Sequence, residues 1–154
     1  MINSVSIVIP AKDEESRLPD FLNQVIRYCQ SQKESYEIIV VDDGSRDKTA
    51  QLALSFQKKF SDLRVISLDR NHGKGYAVKQ GILSSKGEIT LFLDADGSTS
   101  PQEISRYLAL FEKGYDVVIG SRVLRDESSK VKTKFYRKWM GNIFNFFVSS
   151  LLIK

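Results

Sequence analysis

The sequence predicts an α/β protein with a mainly parallel sheet flanked by helices. Short apolar runs of strand length alternate with longer segments whose apolar residues recur at helical spacing. Such alternation is typical of βαβ units, in which right-handed crossovers connect parallel strands. The chain has 154 residues, 42% hydrophobic and 27% charged, which suits one globular domain with its own core.

Five apolar runs predict the strands. The second run is rich in β-branched residues, which favour extended structure. The first begins almost at Met1, so the sequence predicts no secretory signal. The predicted strands are Val5–Ile9, Tyr36–Val41, Leu63–Ser67, Ile89–Leu93 and Val117–Ile119.

Helical periodicity predicts a helix after each of the first four strands. The first three are predicted at Leu18–Cys29, Leu52–Phe60 and Tyr76–Leu83, where Pro19 is tolerated in the first turn and Gly81 weakens the third. For the fourth, Ser100 is predicted as the N-cap, with a proline at the first helical position and Glu103 three residues after the cap. Gly114 is predicted to end this helix.

The C-terminal third is basic and ends in an apolar periodic segment. Residues 1–100 carry 13 basic and 14 acidic side chains, whereas residues 101–154 carry 10 and 5. A helix over 135–153 would be about 28 Å long. Its asparagines and serines favour a helix lying in the membrane interface over a spanning helix, although packing on the domain or on a second subunit explains the same pattern. The predicted organisation is a core at 1–122, a basic linker at 123–134 and an amphipathic helix at 135–154.

Missing motifs exclude several classes of protein. The single cysteine, Cys29, excludes an internal disulfide and fits a reducing compartment. The first strand-to-helix turn lacks G-x-G-x-x-G, which argues against a dinucleotide-dependent oxidoreductase. The P-loop and nucleophile-elbow patterns are also absent, and no Cys/His cluster supports zinc. The basic C-terminal block suits an anionic membrane surface or a nucleic acid, and a solvated linker is the alternative.

Polar and charged residues follow every predicted strand. In an open parallel sheet, ligands bind beyond the carboxyl ends of the strands, so these loops are expected to meet at one site. They are Pro10–Glu15, Asp42–Ser45, Asp69–Gly75, Asp94–Ser98 and Gly120–Arg122.

Three of these loops suggest specific chemistry. Asp94 and Asp96 bracket one residue at a strand end, where both carboxylates can face one Mg²⁺ or Mn²⁺ ion; turn and cap chemistry is the alternative. Asp42 and its neighbours suit a tight turn, or a carboxylate that accepts hydrogen bonds from a base or ribose. Lys74 lies between two glycines, which would let the backbone approach a phosphate while the ammonium supplies the counter-charge.

Together these loops resemble the family 2 glycosyltransferases, which have the GT-A fold. The resemblance rests on Val5–Pro10 with the acidic run after it, on Glu37–Ser45 with Asp47 and Thr49, and on Asp94-Ala95-Asp96. Within that family, Asn71–Gly75, Asp94–Ser98 and Gly120–Arg122 look most like the polyprenyl-phosphate sugar transferases, particularly the dolichyl-phosphate glucosyltransferase branch.

The resemblance implies roles for particular residues. Asp96 and Arg122 are implied as catalytic, and Asp94 and Asp96 as ligands of Mg²⁺ or Mn²⁺. The implied substrate-binding set comprises Pro10, Ala11 and Glu14 in the first nucleotide loop, Val41 and Asp42 at the base and ribose, Lys74 and Arg122 near the phosphates, and Asp94, Ala95, Asp96 and Ser98 at the diphosphate.

The implied reaction moves a hexose, with UDP-glucose the expected donor, to a polyprenyl or dolichyl phosphate. The lipid phosphate is already anionic, so catalysis would need orientation and stabilisation of the leaving nucleotide rather than a base. The expected location is peripheral, on the cytoplasmic face of a membrane, without nucleic acid; the oligomeric state stays open. A glycan acceptor and a non-catalytic nucleotide-sugar binder are the alternatives. Relatives generally continue past Lys154 with a Q-C-G-F-K-like motif, so a C-terminally truncated member is expected.

Overall fold

A four-stranded, fully parallel sheet forms the centre of the protein. The structure is a computed structural model, and it describes residues 2–120. The sheet has the order β3-β2-β1-β4, and β1 pairs with β2 along its whole length. Its strands are β1 (Ser4–Ala11), β2 (Ser35–Asp42), β3 (Leu63–Ser67) and β4 (Ile89–Phe92), which confirms the first four predicted strands.

Four α-helices connect and follow the strands. They are α1 (Leu18–Ser31), α2 (Thr49–Ser55), α3 (Lys74–Ser84) and α4 (Glu103–Phe111). The second helix is shorter than predicted, because a 3₁₀ turn at Phe56–Lys58 replaces its last α-helical turn. The amide of Leu63 then donates to the carbonyl of Phe60, and the chain turns directly into β3.

Alternating residues of β1 and β2 supply two separate apolar layers. On one face, Ile7 and Ile9 of β1 pack with the apolar stripes of α1 and α4. On the other face, Val8 packs with Val41 and with Ala77 of α3. The near-continuous apolar character of β1 and β2 reflects this burial on both faces.

Cys29 lies within the larger of these layers. It is buried on α1, and burial raises the pKa of its thiol to about 12. The thiol is therefore protonated and inert at neutral pH, which agrees with its prediction as an unpaired cysteine.

Gly81 lets α3 approach the sheet closely. A Cβ atom at Gly81 would lie 2.2 Å from Cγ1 of Val8, which is well inside van der Waals contact. Gly81 lowers the helical propensity of α3, but its lack of a side chain allows α3 to pack closely on β1.

Two sequence predictions near α4 are wrong. Ser100 does not cap the helix: α4 begins at Glu103, and the Ser100 hydroxyl pairs with the side chain of Gln102 instead of with a helical amide. Val117–Ile119 is not a strand among the described residues, and the side chains of Val117 and Ile119 are 73% and 83% exposed. An apolar run becomes a strand only where a neighbouring strand accepts its hydrogen bonds, and this run has no such neighbour within residues 2–120.

The predicted linker at 123–134 and the amphipathic helix at 135–154 lie outside the described residues. Within residues 2–120, no helix combines the length and the apolar character needed to cross a bilayer.

Candidate active site

A cavity of about 350 Å³ opens at the carboxyl edge of the sheet. The segments after all four strands contribute to its wall, as expected for a parallel α/β sheet. The lining residues are Pro10, Ala11, Lys12, Glu14, Arg17, Asp43, Asn71, Lys74, Ala77, Asp94, Ala95 and Asp96. Seven of the side chains that the sequence analysis assigned to the donor and the metal therefore meet in one place: Pro10, Ala11, Glu14, Lys74, Asp94, Ala95 and Asp96.

The other assigned residues lie elsewhere. Val41 is fully buried in the apolar layer beneath α3, and Asp42 is 4% exposed behind the cavity wall. Both oxygens of Asp42 accept only long contacts of 3.4 Å from the amide of Ser45. Ser98 donates its amide to Oδ1 of Asp96 at 2.8 Å and does not line the cavity. Arg122 lies outside the described residues.

Lys74 and Asp94 form an ion pair inside the cavity. The Nζ atom of Lys74 lies 2.6 Å from Oδ1 of Asp94. Lys74 is the first residue of α3, and Asp94 follows β4, so the pair joins two walls of the cavity. Both side chains remain substantially exposed, at 58% and 39%.

The donor atoms at this edge suit a hard divalent cation. Asp94 and Asp96 both line the cavity and offer carboxylate oxygens, which Mg²⁺ and Mn²⁺ prefer. Within the described part of the chain, no three His, Cys, Asp or Glu side chains converge to hold a metal ion by themselves. Two carboxylates completed by substrate phosphates and water are the usual arrangement for Mg²⁺, so the residues present fit such an ion.

Asp43, which the sequence analysis passed over, fixes the loop before α3. This carboxylate is 3% exposed, and it accepts the amide of His72 at 2.7 Å and the amide of Gly73 at 2.8 Å. Asp43 thereby positions the N-terminus of α3 and with it Lys74. The sequence carried no signal of this contact, because the partners lie 29 and 30 residues away.

The loops after β1 and β2 are joined by reciprocal hydrogen bonds. The amide of Asp13 donates to Oγ of Ser45, and the amide of Arg46 donates back to Oδ1 of Asp13 at 2.7 Å. The amide of Glu14 donates to Oγ1 of the fully buried Thr49. The Arg46 amide, and next the Lys12 ammonium, hold the pKa of Asp13 below its ordinary value. These bonds make the two loops one rigid wall of the cavity.

Gly44 is needed for the same wall to meet the loop after β3. Its φ angle is +63°, and a Cβ atom there would lie 2.5 Å from the carbonyl carbon of Arg70. Only glycine satisfies both requirements.

Two further cations line the cavity without having been predicted. Lys12 donates to the carbonyl of Gly44 at 2.7 Å and pairs with Asp13 at 3.1 Å. Arg17 lies just before α1 and is held by two hydrogen bonds from its guanidinium to Glu14, at 2.6 and 2.5 Å. The cavity therefore carries three cations among its carboxylates. The position of Lys12 after β1 could have indicated its role, whereas nothing in the sequence points to Arg17.

His72 lies in the loop before α3, beside the cavity. It pairs with Asp69 at 2.8 Å and stacks on the ring of Tyr76, with centroids 4.6 Å apart. The hydrogen bond from His72 lowers the pKa of Asp69.

Comparison with known proteins agrees with this architecture. At 38% identity, the chain matches a dolichyl-phosphate beta-glucosyltransferase of Dictyostelium discoideum over 97% of its own length and 50% of the relative. An undecaprenyl-phosphate 4-deoxy-4-formamido-L-arabinose transferase of Proteus mirabilis is 41% identical, over 86% of this chain and 41% of that protein. The chain thus spans about half the length of the curated relatives it matches.

A solved structure shows the same fold. The chain superposes on S. aureus TarS in complex with UDP-GlcNAc with a TM-score of 0.61 and 26% identity, over 71% of this chain and 31% of that one. The parallel sheet and its flanking helices are thus GT-A-like. Residues 6–151 match the family profile described as glycosyl transferase family 2. With the fold, the loops and the profile in agreement, this chain belongs to glycosyl transferase family 2.

Proposed function

We propose that the chain binds a nucleoside-diphosphate sugar in the cavity at the carboxyl edge and serves hexose transfer to a polyprenyl phosphate. One observation carries the donor half of this proposal. Asp94 and Asp96 share the cavity with Lys12, Arg17 and Lys74, so oxygen ligands for a divalent cation lie beside cations that suit a diphosphate.

The proposed division of labour follows from the position of each group. Asp94 and Asp96 would hold Mg²⁺ or Mn²⁺, which would take up negative charge on the departing diphosphate. Lys12, Arg17 and Lys74 add counter-charge from the chain itself. Pro10, Ala11 and Glu14 border the nucleotide side. Val41 and Asp42 are buried, so any contribution to the base or ribose comes through their backbone or a shift of the Asp42 carboxylate.

The acceptor proposed here is a lipid phosphate. The printed names of the relatives are dolichyl-phosphate and undecaprenyl-phosphate transferases, which supports this class of acceptor. A phosphate oxygen is anionic at neutral pH and can attack the anomeric carbon directly. The new carbon–oxygen bond forms as the bond between that carbon and the diphosphate breaks, and the nucleoside diphosphate leaves. Orientation and electrostatic stabilisation then supply the catalysis.

Glucose is the sugar proposed, with UDP-glucose as the donor. The glucosyltransferase names among the relatives support glucose, and the UDP-GlcNAc complex of TarS supports a uridine nucleotide. Arg122 and Ser98 complete the proposed phosphate-binding set. The proposed location is the cytoplasmic face of a membrane, where the basic residues of 122–138 would contact anionic lipid.

Donor titration tests the proposal. Calorimetry of the whole chain with UDP-glucose is expected to show binding that depends on Mn²⁺ and is lost in Asp96→Ala. Asp62→Ala is the matched control, since this exposed carboxylate precedes β3 at the opposite edge of the sheet. Unchanged binding in Asp96→Ala would count decisively against the metal site.

A transfer assay separates donor binding from turnover. Radiolabelled glucose is expected to move from UDP-glucose to a polyprenyl phosphate in detergent, and a glycan acceptor is expected to remain unlabelled. Labelling of the glycan alone would replace the proposed acceptor while leaving the donor site in place.

A further inference from the structure

We propose that Lys74 is a built-in counter-ion that holds Asp94 until the divalent cation and the nucleoside diphosphate arrive together. The ammonium then leaves Asp94 for the diphosphate, so that the two ligands bind cooperatively. This inference rests on the proposed function and adds to it a positioning role for one side chain.

The contact between the two side chains occupies one carboxylate oxygen of Asp94. The Nζ atom of Lys74 is 2.6 Å from Oδ1 of Asp94, which is the distance of a direct charge-assisted hydrogen bond. A divalent cation on that oxygen would stand within a few ångströms of the ammonium, and the two positive groups would repel each other. A metal ion that binds this oxygen of Asp94 therefore requires Lys74 to move.

The exchange requires movement of a side chain only. Asp43 holds the amides of His72 and Gly73, so the backbone entering α3 stays in place. The Lys74 side chain is 58% exposed, and its ammonium lies over the ring of Phe92 at 6.0 Å from the centroid, the outer limit of a cation–π contact. Exposed ion pairs of this kind contribute little stability, so a divalent cation can displace the ammonium.

The released ammonium has a destination in the same cavity. Lys74 shares the cavity with Asn71, Lys12 and Arg17, so a bound diphosphate would meet the ammonium there. A divalent cation that binds alone must displace the Lys74 ammonium, which then has no new partner. A cation that binds together with the diphosphate gives the ammonium a new partner. Each ligand therefore raises the affinity for the other, and by linkage the factor is the same in both directions.

Manganese titration of the whole chain, followed by electron paramagnetic resonance, tests the exchange. In the unmodified chain, UDP is expected to tighten Mn²⁺ binding about fivefold or more. In Lys74→Gln, Mn²⁺ alone is expected to bind about twofold to fivefold tighter than in the unmodified chain, and the UDP effect is expected to shrink. Lys74→Arg keeps a cation that can pair with Asp94, so the original pattern should return.

Lys12→Gln is the charge-matched control. It removes one positive charge from the same cavity, but its ammonium contacts Gly44 and Asp13 rather than Asp94. A smaller effect of Lys12→Gln on Mn²⁺ binding alone supports the exchange. Equal tightening in both variants would mean general electrostatics and would overturn it, as would unchanged affinity in Lys74→Gln. In either case cooperative binding of Mn²⁺ and UDP by the unmodified chain would leave the proposed function standing, whereas binding of neither ligand would overturn both proposals.

Discussion

Two adjacent carboxylates at the end of β2, Asp42 and Asp43, have different surroundings. Asp42 is the last residue of β2 and accepts only long contacts from the next turn. Asp43 has both oxygens occupied by amides of the loop before α3. The sequence predicted a turn or a ligand contact here and named Asp42 as the site residue. The side-chain contacts of Asp43 could not be inferred, because they depend on how closely two loops approach in the folded chain.

Asp43→Asn is expected to destabilise the protein by about 2–3 kcal/mol, because a buried charged acceptor of two hydrogen bonds is lost. The amide nitrogen of the new side chain would face one of the two backbone donors. Urea denaturation measures the loss, and hydrogen exchange should accelerate at His72 and Gly73. Asp62→Asn, on an exposed carboxylate, is the control and should stay near the original stability. Unaltered exchange at His72 and Gly73 in Asp43→Asn would show that Asp43 does not fix this loop.

At the scale of elements, α3 connects the packing of the sheet with the cavity. Its first residue is Lys74, its middle residues Ala77 and Gly81 are buried on the sheet, and it ends at Ser84. The helix itself could be predicted from the periodicity of Tyr76–Leu83. Its closeness to β1 could not, since Gly81 indicates only a weak helix until the position of Val8 is known.

Gly81→Ala is expected to destabilise the protein by up to about 2 kcal/mol. Alanine favours helices by about 1 kcal/mol over glycine, but the new methyl group would overlap the side chain of Val8, at a cost of about 1–3 kcal/mol. Gly75→Ala is the matched control, because a Cβ there meets nothing within 4 Å, and a gain of about 0.5–1 kcal/mol is expected. Thermal unfolding should show a lower melting temperature for Gly81→Ala and a higher one for Gly75→Ala. Stabilisation by Gly81→Ala would contradict the close packing of α3.

Glu37 ties several elements together at the amino edge of the sheet. Its carboxylate accepts Oγ of Ser6 at 2.6 Å from β1, the guanidinium of Arg64 at 2.8 Å from β3, and the amide of Lys86 after α3. Burial opposes ionisation, but the hydrogen bonds from Ser6, Arg64 and Lys86 outweigh it and lower the pKa of Glu37 from its ordinary 4.5. The sequence analysis counted Glu37 only as part of a strand motif.

Stability is therefore expected to fall in acid partly through Glu37. A folded-state pKa below the unfolded value means that the contribution is present in full above pH 4.5 and is lost as the pH falls through the lower, folded-state pKa. Glu37→Gln should lower stability at neutral pH and flatten the acid limb of a plot of unfolding free energy against pH. Glu112→Gln, on an exposed carboxylate just after α4, is the control. An acid limb of unchanged slope in Glu37→Gln would refute the assignment.

At the scale of the whole molecule, the βαβ pattern was enough to predict the sheet and the edge that carries the cavity. Four apolar runs became strands because each has a parallel neighbour, and β1 and β2 are also buried on both faces. The fifth run, at Val117–Ile119, has the same composition but has no partner among the described residues, and composition cannot reveal that. The loop positions likewise predicted that Asp94, Asp96 and Lys74 lie at one site. Arg17 lines the same cavity because it lies just before α1, and the loop positions did not indicate this.

The proposed membrane contact belongs to this scale. The whole chain is expected to float with vesicles of phosphatidylcholine and phosphatidylglycerol. A smaller fraction is expected to float with vesicles of phosphatidylcholine alone. Replacing Arg137 and Lys138 by glutamine should weaken binding to the anionic vesicles by roughly tenfold or more, since each basic residue near the surface contributes about 1 kcal/mol. The control variant replaces Lys58 and Lys59, two exposed basic residues before β3, by glutamine. This variant should float like the unmodified chain. Equal flotation of the two double variants would show that the basic residues at 137 and 138 do not contribute to membrane binding.

The hydrogen bonds between the loops after β1 and β2 have a consequence for the design and evolution of such proteins. Asp13 depends on Ser45 and Arg46, and Glu14 depends on Thr49, so neither loop keeps its shape alone. Changes in one loop are expected to persist only with matching changes in the other. Exchange of donor specificity between homologous transferases would then require both loops to be grafted as a pair, and the loop before α3 is tied to them through Asp43.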